Sequence, residues 1–134
     1  MRSIARLRLE ALSAFARLLR SFSDHGLGAL ERAARDARLV RGVWSAADAG
    51  CPLSCADGVL GRSGARRFFW QAHDRNRFVT AWDAGLVSAA DVAALVQLER
   101  ERRARAWQRR ARIRSLARRL AERFSPAPSP PAHA

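Results

Sequence analysis

From Ser88 to Phe124 the chain contains neither glycine nor proline, and that absence constrains its fold more than any other feature. In a helix interior a glycine costs about 1 kcal/mol and a proline about 3 kcal/mol relative to alanine. A stretch without either, rich in Ala, Leu, Arg and Glu, is free to form one continuous helix. Ser88 and Asp91 have the spacing of a capping box at its start, and the sequence SPAPSPPAHA ends it with a proline-rich tail. The prediction is a single helix of about 37 residues, roughly 55 Å long at 1.5 Å per residue.

Placed at about 100° per residue, Val92, Leu95, Leu98, Ala106, Ile113, Leu116, Ala117, Leu120 and Phe124 share one face, which Arg102 and Arg109 also occupy. A merely solvated helix has no reason to align four large apolar residues from Ile113 to Phe124. A fully buried one does not carry two arginines in its seam without partners. The proximal third is therefore expected to pack on a globular body. The middle, ERERRARAWQRR, is expected to bridge solvent or grip an anion. The distal third is expected to pack on the first helix or on another protein chain.

Residues 4–22 place Ile4, Leu7, Ala11, Phe15, Leu18, Leu19 and Phe22 at helical steps of three and four, with Arg2, Arg6, Arg17 and Arg20 opposite. This is an amphipathic helix that docks with a solvated basic face, or alternatively lies on an anionic membrane surface. After SDHG a second helix is expected over 27–41, with Leu27, Leu30, Ala34, Ala37 and Val40 or Arg41 on one side and Gly42 as its cap. Residues 43–64, with four glycines and one proline, read as an ordered loop. A third helix is expected over 65–84, with Phe68, Phe69, Ala72, Phe78, Val79 and Trp82 as buried candidates. The helix, AGLVS turn and helix that follow approach a helix-turn-helix in outline. Gly85 is one residue too far from the next cap for that pattern, however, and SAADVAAL is poor in side chains that read base edges. A helical hairpin is the reading.

The fold class predicted is all-α: a small helical domain with an N-terminal amphipathic helix and a long basic C-terminal helix. Its divisions are an amphipathic basic helix at 1–23, a compact helical body at 24–98 centred on Phe68, Phe69, Phe78, Trp82, Leu86, Val92 and Leu95, an Arg-rich helix at 99–124 and a disordered tail at 125–134. A length of 134 residues supports one modest core. No apolar run is long enough to span a membrane. Arg6, Arg8, Glu10 and Arg17 break up any secretory signal near the start, so a cytoplasmic location is expected. The Arg-rich, acid-poor start also resembles a mitochondrial presequence, which makes the mitochondrion the alternative.

All 25 basic residues are arginine, which a GC-rich gene explains as well as any recognition chemistry, so their placement is more informative than their type. The net charge is +4 over residues 1–23, +1 over 24–98 and +8 over 99–134. Such basic ends attract polyanions or acidic surfaces. The leading expectation is a non-catalytic protein that contacts nucleic-acid phosphates through Arg102, Arg103, Arg105, Arg109, Arg110, Arg112 and Arg114, with Trp107 available for stacking. The alternative is a small accessory subunit of a larger protein or ribonucleoprotein assembly, in which Ile113, Leu116, Leu120 and Phe124 bury against an acidic partner. Attachment to a membrane surface through residues 1–23 ranks third. Cys51 and Cys55 with His73 and His25 are a loose fit to a zinc site because a second cysteine pair is missing, so neither metal nor other cofactor is expected. No carboxylate pair, phosphate loop or triad motif points to an enzyme.

Overall fold

The computed structural model describes residues 3–43, 45–46, 49–56 and 71–124. The protein is all-α. Helix α1 spans Ile4–Leu19, α2 Asp24–Arg35, α3 Ala72–Asp83 and α4 Ala89–Phe124, and residues 52–56 are also helical. A minimal antiparallel pair, β1 (Ser45–Ala46) and β2 (Ala49–Gly50), lies between α2 and that turn, with Ser45 opposite Gly50 and Ala46 opposite Ala49. Among the described residues no helix is long and apolar enough to cross a membrane. The chain divides into two compact units, Met1–Arg100 and Glu101–Ala134.

Local chemistry sets the helix ends. Ser3 accepts from the Arg6 N–H at 3.2 Å and Ser23 from the Gly26 N–H at 3.0 Å, each satisfying a donor that the first turn leaves open. The predicted box before α4 is present with both bonds: the Ser88 N–H donates to Asp91 at 2.9 Å and the Asp91 N–H to the Ser88 hydroxyl at 3.0 Å. Helix α3 ends in a left-handed glycine, Gly85 at φ +77°. There the Gly85 N–H reaches the Trp82 carbonyl at 3.0 Å and the Leu86 N–H reaches Ala81 at 2.9 Å, the bond pair of a Schellman cap.

The core of the first unit is aromatic at its centre. Phe15 of α1 stacks on Phe78 of α3 with ring centroids 4.1 Å apart, and Phe78 in turn lies 6.4 Å from Trp82. Leu18, Leu19, Leu27, Leu30, Leu53, Val87, Val92 and Val96 close around them, all buried. Burying each such side chain contributes about 1.5–3 kcal/mol. The polar edge of Trp82 is satisfied as well: its indole N–H donates to the Val40 carbonyl at 2.9 Å, and the Arg41 guanidinium sits 4.2 Å above the ring. Helix α1, read from sequence as a flanking element, is thus central to this core.

Several boundaries and faces differ from the sequence reading. Helix α2 runs from Asp24 to Arg35 rather than over 27–41. Ser23 caps it early, and Ala37, expected to face inward, is exposed in a left-handed conformation at φ 55° that ends it. Gly42, at φ +78°, donates its N–H to the Asp83 carboxylate at 2.9 Å and caps no helix. The apolar stripe of α1 is buried only from Ala11 onward, since Ile4 is 68% exposed. In α4 the buried seam is Val92, Val96 and Glu99, whereas Leu98, expected inside, is exposed. Steps of four and three on Val92 select a seam about 125° away from the Leu98 direction. Helix α3 is described from Ala72, and residues 65–70 of the expected third helix lie outside the described residues. Residues 57–64 of the expected loop, Phe68 and Phe69, and the tail from 125 onward lie outside the described residues, while Leu86 and Leu95 pack at the edge of the core.

Candidate nucleic-acid interface

The two units treat their arginines differently. In the first, several cationic side chains are matched to acids: Arg8 to Asp91 at 2.8 Å, Arg17 to Asp74 at 2.8 Å, Arg100 to Glu31 at 3.3 Å and Arg77 to Glu10 at 3.9 Å. Two acids of the near-neutral segment 24–98, Asp74 and Asp91, thereby neutralise arginines of α1. Residues 101–124 hold ten arginines against two glutamates, so stoichiometry alone leaves most of them without an acidic neighbour. Arg102 and Arg103 interact within the chain. Arg105, Arg109, Arg110, Arg112 and Arg114 are exposed and form no ion pair among the described residues.

Helical geometry sorts these residues into two faces. Arg105, Arg109 and Arg112 fall within about 60° of one another and, with Gln108, line an open concavity of about 300 Å³. Three guanidinium-bearing residues on one helix face have the donors and charge that an anion such as a phosphate accepts. Arg110 and Arg114 fall roughly opposite, together with Trp107, which is 64% exposed. The predicted set is therefore brought together along one helix but divided between its two sides. Gln108 is a lining residue that sequence reasoning missed; its position one helical turn from Arg105 and Arg112 was the available signal.

Ile113, Leu116, Leu120 and Phe124 are 66%, 57%, 46% and 76% exposed. They follow one another at steps of three and four and are flanked by Arg114, Arg118, Arg119 and Arg123. Four large apolar side chains aligned on one exposed face are a surface that water penalises, unlike apolar residues scattered singly.

A second concavity, of about 420 Å³, lies in the first unit between α1 and α3. Leu7, Ala11, Ala81, Ala84 and Leu86 give it an apolar floor, and Glu10, Asn76, Arg77 and Thr80 give it a polar rim. Nothing in the sequence reading marked it; its cause is the run of alanines facing each other where larger residues would have filled the space.

Both thiols lie in the first unit. Burial pushes the Cys51 thiol above the ordinary range despite backbone N–H groups that favour the thiolate, and it also raises Cys55 against the opposing charge of Arg38. Neither is poised as a nucleophile at neutral pH. His25 and His73 are exposed, and among the described residues no three His, Cys, Asp or Glu side chains gather into a potential metal cluster. Comparison with known proteins finds no matching family model, no matching curated protein and no matching solved structure.

Proposed function

We propose that this protein binds nucleic acid without catalysis, through phosphate contacts made by the arginines of residues 101–124. The observation that carries the reading is the contrast between Arg8, Arg17, Arg77 and Arg100 of the first unit, each paired with an acid, and Arg105, Arg109, Arg110, Arg112 and Arg114 of the second, exposed and without an ion pair among the described residues. A cationic helix with ten arginines against two glutamates draws on the release of condensed counterions from a polyanion, a driving force that requires no base readout. The binding residues are Arg102, Arg103, Arg105, Arg109, Arg110, Arg112 and Arg114, with Trp107 beside them.

Affinity for DNA or RNA should fall with salt along a logarithmic slope equivalent to about four to eight phosphates, at roughly 0.7–0.9 per contact. Changing Arg109, Arg110 and Arg112 together to Gln should lower that slope by about two to three and leave the first unit folded. Salt-insensitive or absent binding defeats the reading.

A second reading rests on the exposed stripe Ile113, Leu116, Leu120 and Phe124: the protein is an accessory subunit of a larger assembly. The flanking arginines select a partner whose apolar groove has an acidic rim. Nuclease treatment of a native preparation separates the two readings, because a protein partner stays attached when nucleic acid is digested.

A further inference from the structure

Trp107 sits on the helix at a position where its neighbours leave an indole face open. The residues one turn away on the same side are Arg103 and Ala104 toward the N-terminus and Arg110 and Ala111 toward the C-terminus. Helical side chains lean toward the N-terminus, so the ring rises over the turn that holds Arg103 and Ala104, and on the Ala104 side the methyl group is too small to cover it. Trp107 is 64% exposed, and among the described residues no ring or guanidinium stacks on it. Trp82, by contrast, is fully buried under Arg41 and Phe78. An uncovered indole in water gives up the large apolar gain that such a ring can make.

Below the ring, Arg110, Arg114 and Arg118 continue the same face at steps of four residues, about 6 Å apart along the axis. That rise is comparable with the separation of successive phosphates on an extended strand. A row of exposed cations ending in an open aromatic ring is the combination that single-strand binding uses, with the charges tracking the backbone and the ring stacking one base. A base inside a duplex is already stacked on both sides and gains nothing from the ring without being extruded.

We propose that the Trp107 face is a single-strand site, in which one unpaired base stacks on the indole while Arg110, Arg114 and Arg118 hold the phosphates that follow it. The opposite face, with Arg105, Arg109 and Arg112, is not part of this site. The proposal rests on the phosphate-binding reading and adds to it the form of nucleic acid and the contact that selects it.

The test uses the full chain and fluorescence anisotropy of labelled oligothymidylate of about ten nucleotides and of a duplex of equal length. The parent protein should prefer the single strand. Trp107→Ala should weaken oligothymidylate binding by about 5- to 100-fold, leave the salt slope unchanged because no charge is removed, and leave duplex binding unaltered. Trp107→Phe should restore most of the loss. Trp107 is exposed, so circular dichroism should show all variants folded. Equal single-strand affinity of Trp107→Ala and the parent, or a parent preference for the duplex, overturns the single-strand site while salt-dependent binding upholds the phosphate reading. Absence of binding to both nucleic acids overturns both.

Discussion

Arg17 holds Asp74 through two parallel hydrogen bonds, Nε to Oδ2 at 3.1 Å and Nη2 to Oδ1 at 2.8 Å, and so ties the last turn of α1 to the first turn of α3. The fork geometry fixes direction as well as distance. Hydrogen bonding to Arg17 is the main reason that the Asp74 carboxyl lies below the ordinary range, and bonds to Ser88 do the same for Asp91.

These two carboxylates make the first unit acid-labile in a defined window. Their folded-state values are depressed, so the unfolded chain takes up protons first as pH falls. Their contribution is complete above the ordinary aspartate value of about 3.9 and is lost as pH falls through the lower native values. Urea midpoints should hold steady from neutrality to about pH 5 and drop steeply below about pH 4. Asp74→Asn should cost about 0.5–1 kcal/mol at neutral pH, the modest figure due to a partner that is half exposed, and should flatten the acid limb. An unchanged acid limb in that variant would remove Asp74 from the account.

Two backbone positions should respond to substitution with opposite signs. Gly85 adopts φ +77° in the cap of α3, where a Cβ costs about 1–2 kcal/mol, so Gly85→Ala should lower the unfolding free energy by about 1 kcal/mol. Ala37 already carries that strain at φ 55°. Ala37→Gly should be neutral to stabilising by up to about 1 kcal/mol, the relief of strain being partly offset by chain entropy. Denaturant midpoints of the two variants check the pair.

The cysteines should behave as packing residues. Cys51 is 2% exposed and its thiol is raised by burial, so alkylation at neutral pH should be slow in the native protein, with Cys55 modified before Cys51 and both reacting quickly in denaturant. Mass spectrometry of partially labelled protein reads the order. Prompt modification of Cys51 under native conditions would mean that this part of the core opens far more readily than its packing implies.

The distal stripe should be irrelevant to the stability of the isolated chain. Leu116 and Leu120 are 57% and 46% exposed, so changing both to Ser should alter the unfolding free energy by no more than about 0.5 kcal/mol per site. The same variant should lose any protein partner captured by the parent from a native preparation. Amides of residues 113–124 should exchange rapidly in the purified chain and become protected when a partner is bound. Protection that persists unchanged at any dilution of the purified chain would mean that the stripe is covered from within.

What sequence disclosed and what it hid divide along the line between local and long-range causes. The span of α4 and its Ser88–Asp91 box were legible because both depend on residues a few positions apart. The end of α2 was not, since nothing about Ala37 announces a left-handed conformation that only the surrounding fold maintains. The α4 seam was misread for a related reason. Leu98 completes the better apolar stripe on paper, but the partners supplied by the rest of the first unit meet Val92, Val96 and Glu99. The predicted arginines of the candidate interface were identifiable from charge, yet their division between two faces emerges only when helical phase is applied to each one.

The pairing of α1 with α3 also has a consequence for synthesis. The Arg17–Asp74 and Arg8–Asp91 contacts join residues 57 and 83 positions apart, and Phe15 finds its stacking partner at Phe78. At translation rates of about 5–20 residues per second, α1 leaves the ribosome on the order of ten seconds before α3 can cover it. Through that interval Phe15, Leu18 and Leu19 form a nascent amphipathic surface without its eventual cover. A helix that ends as the middle of the core begins as an exposed apolar surface with no cover of its own.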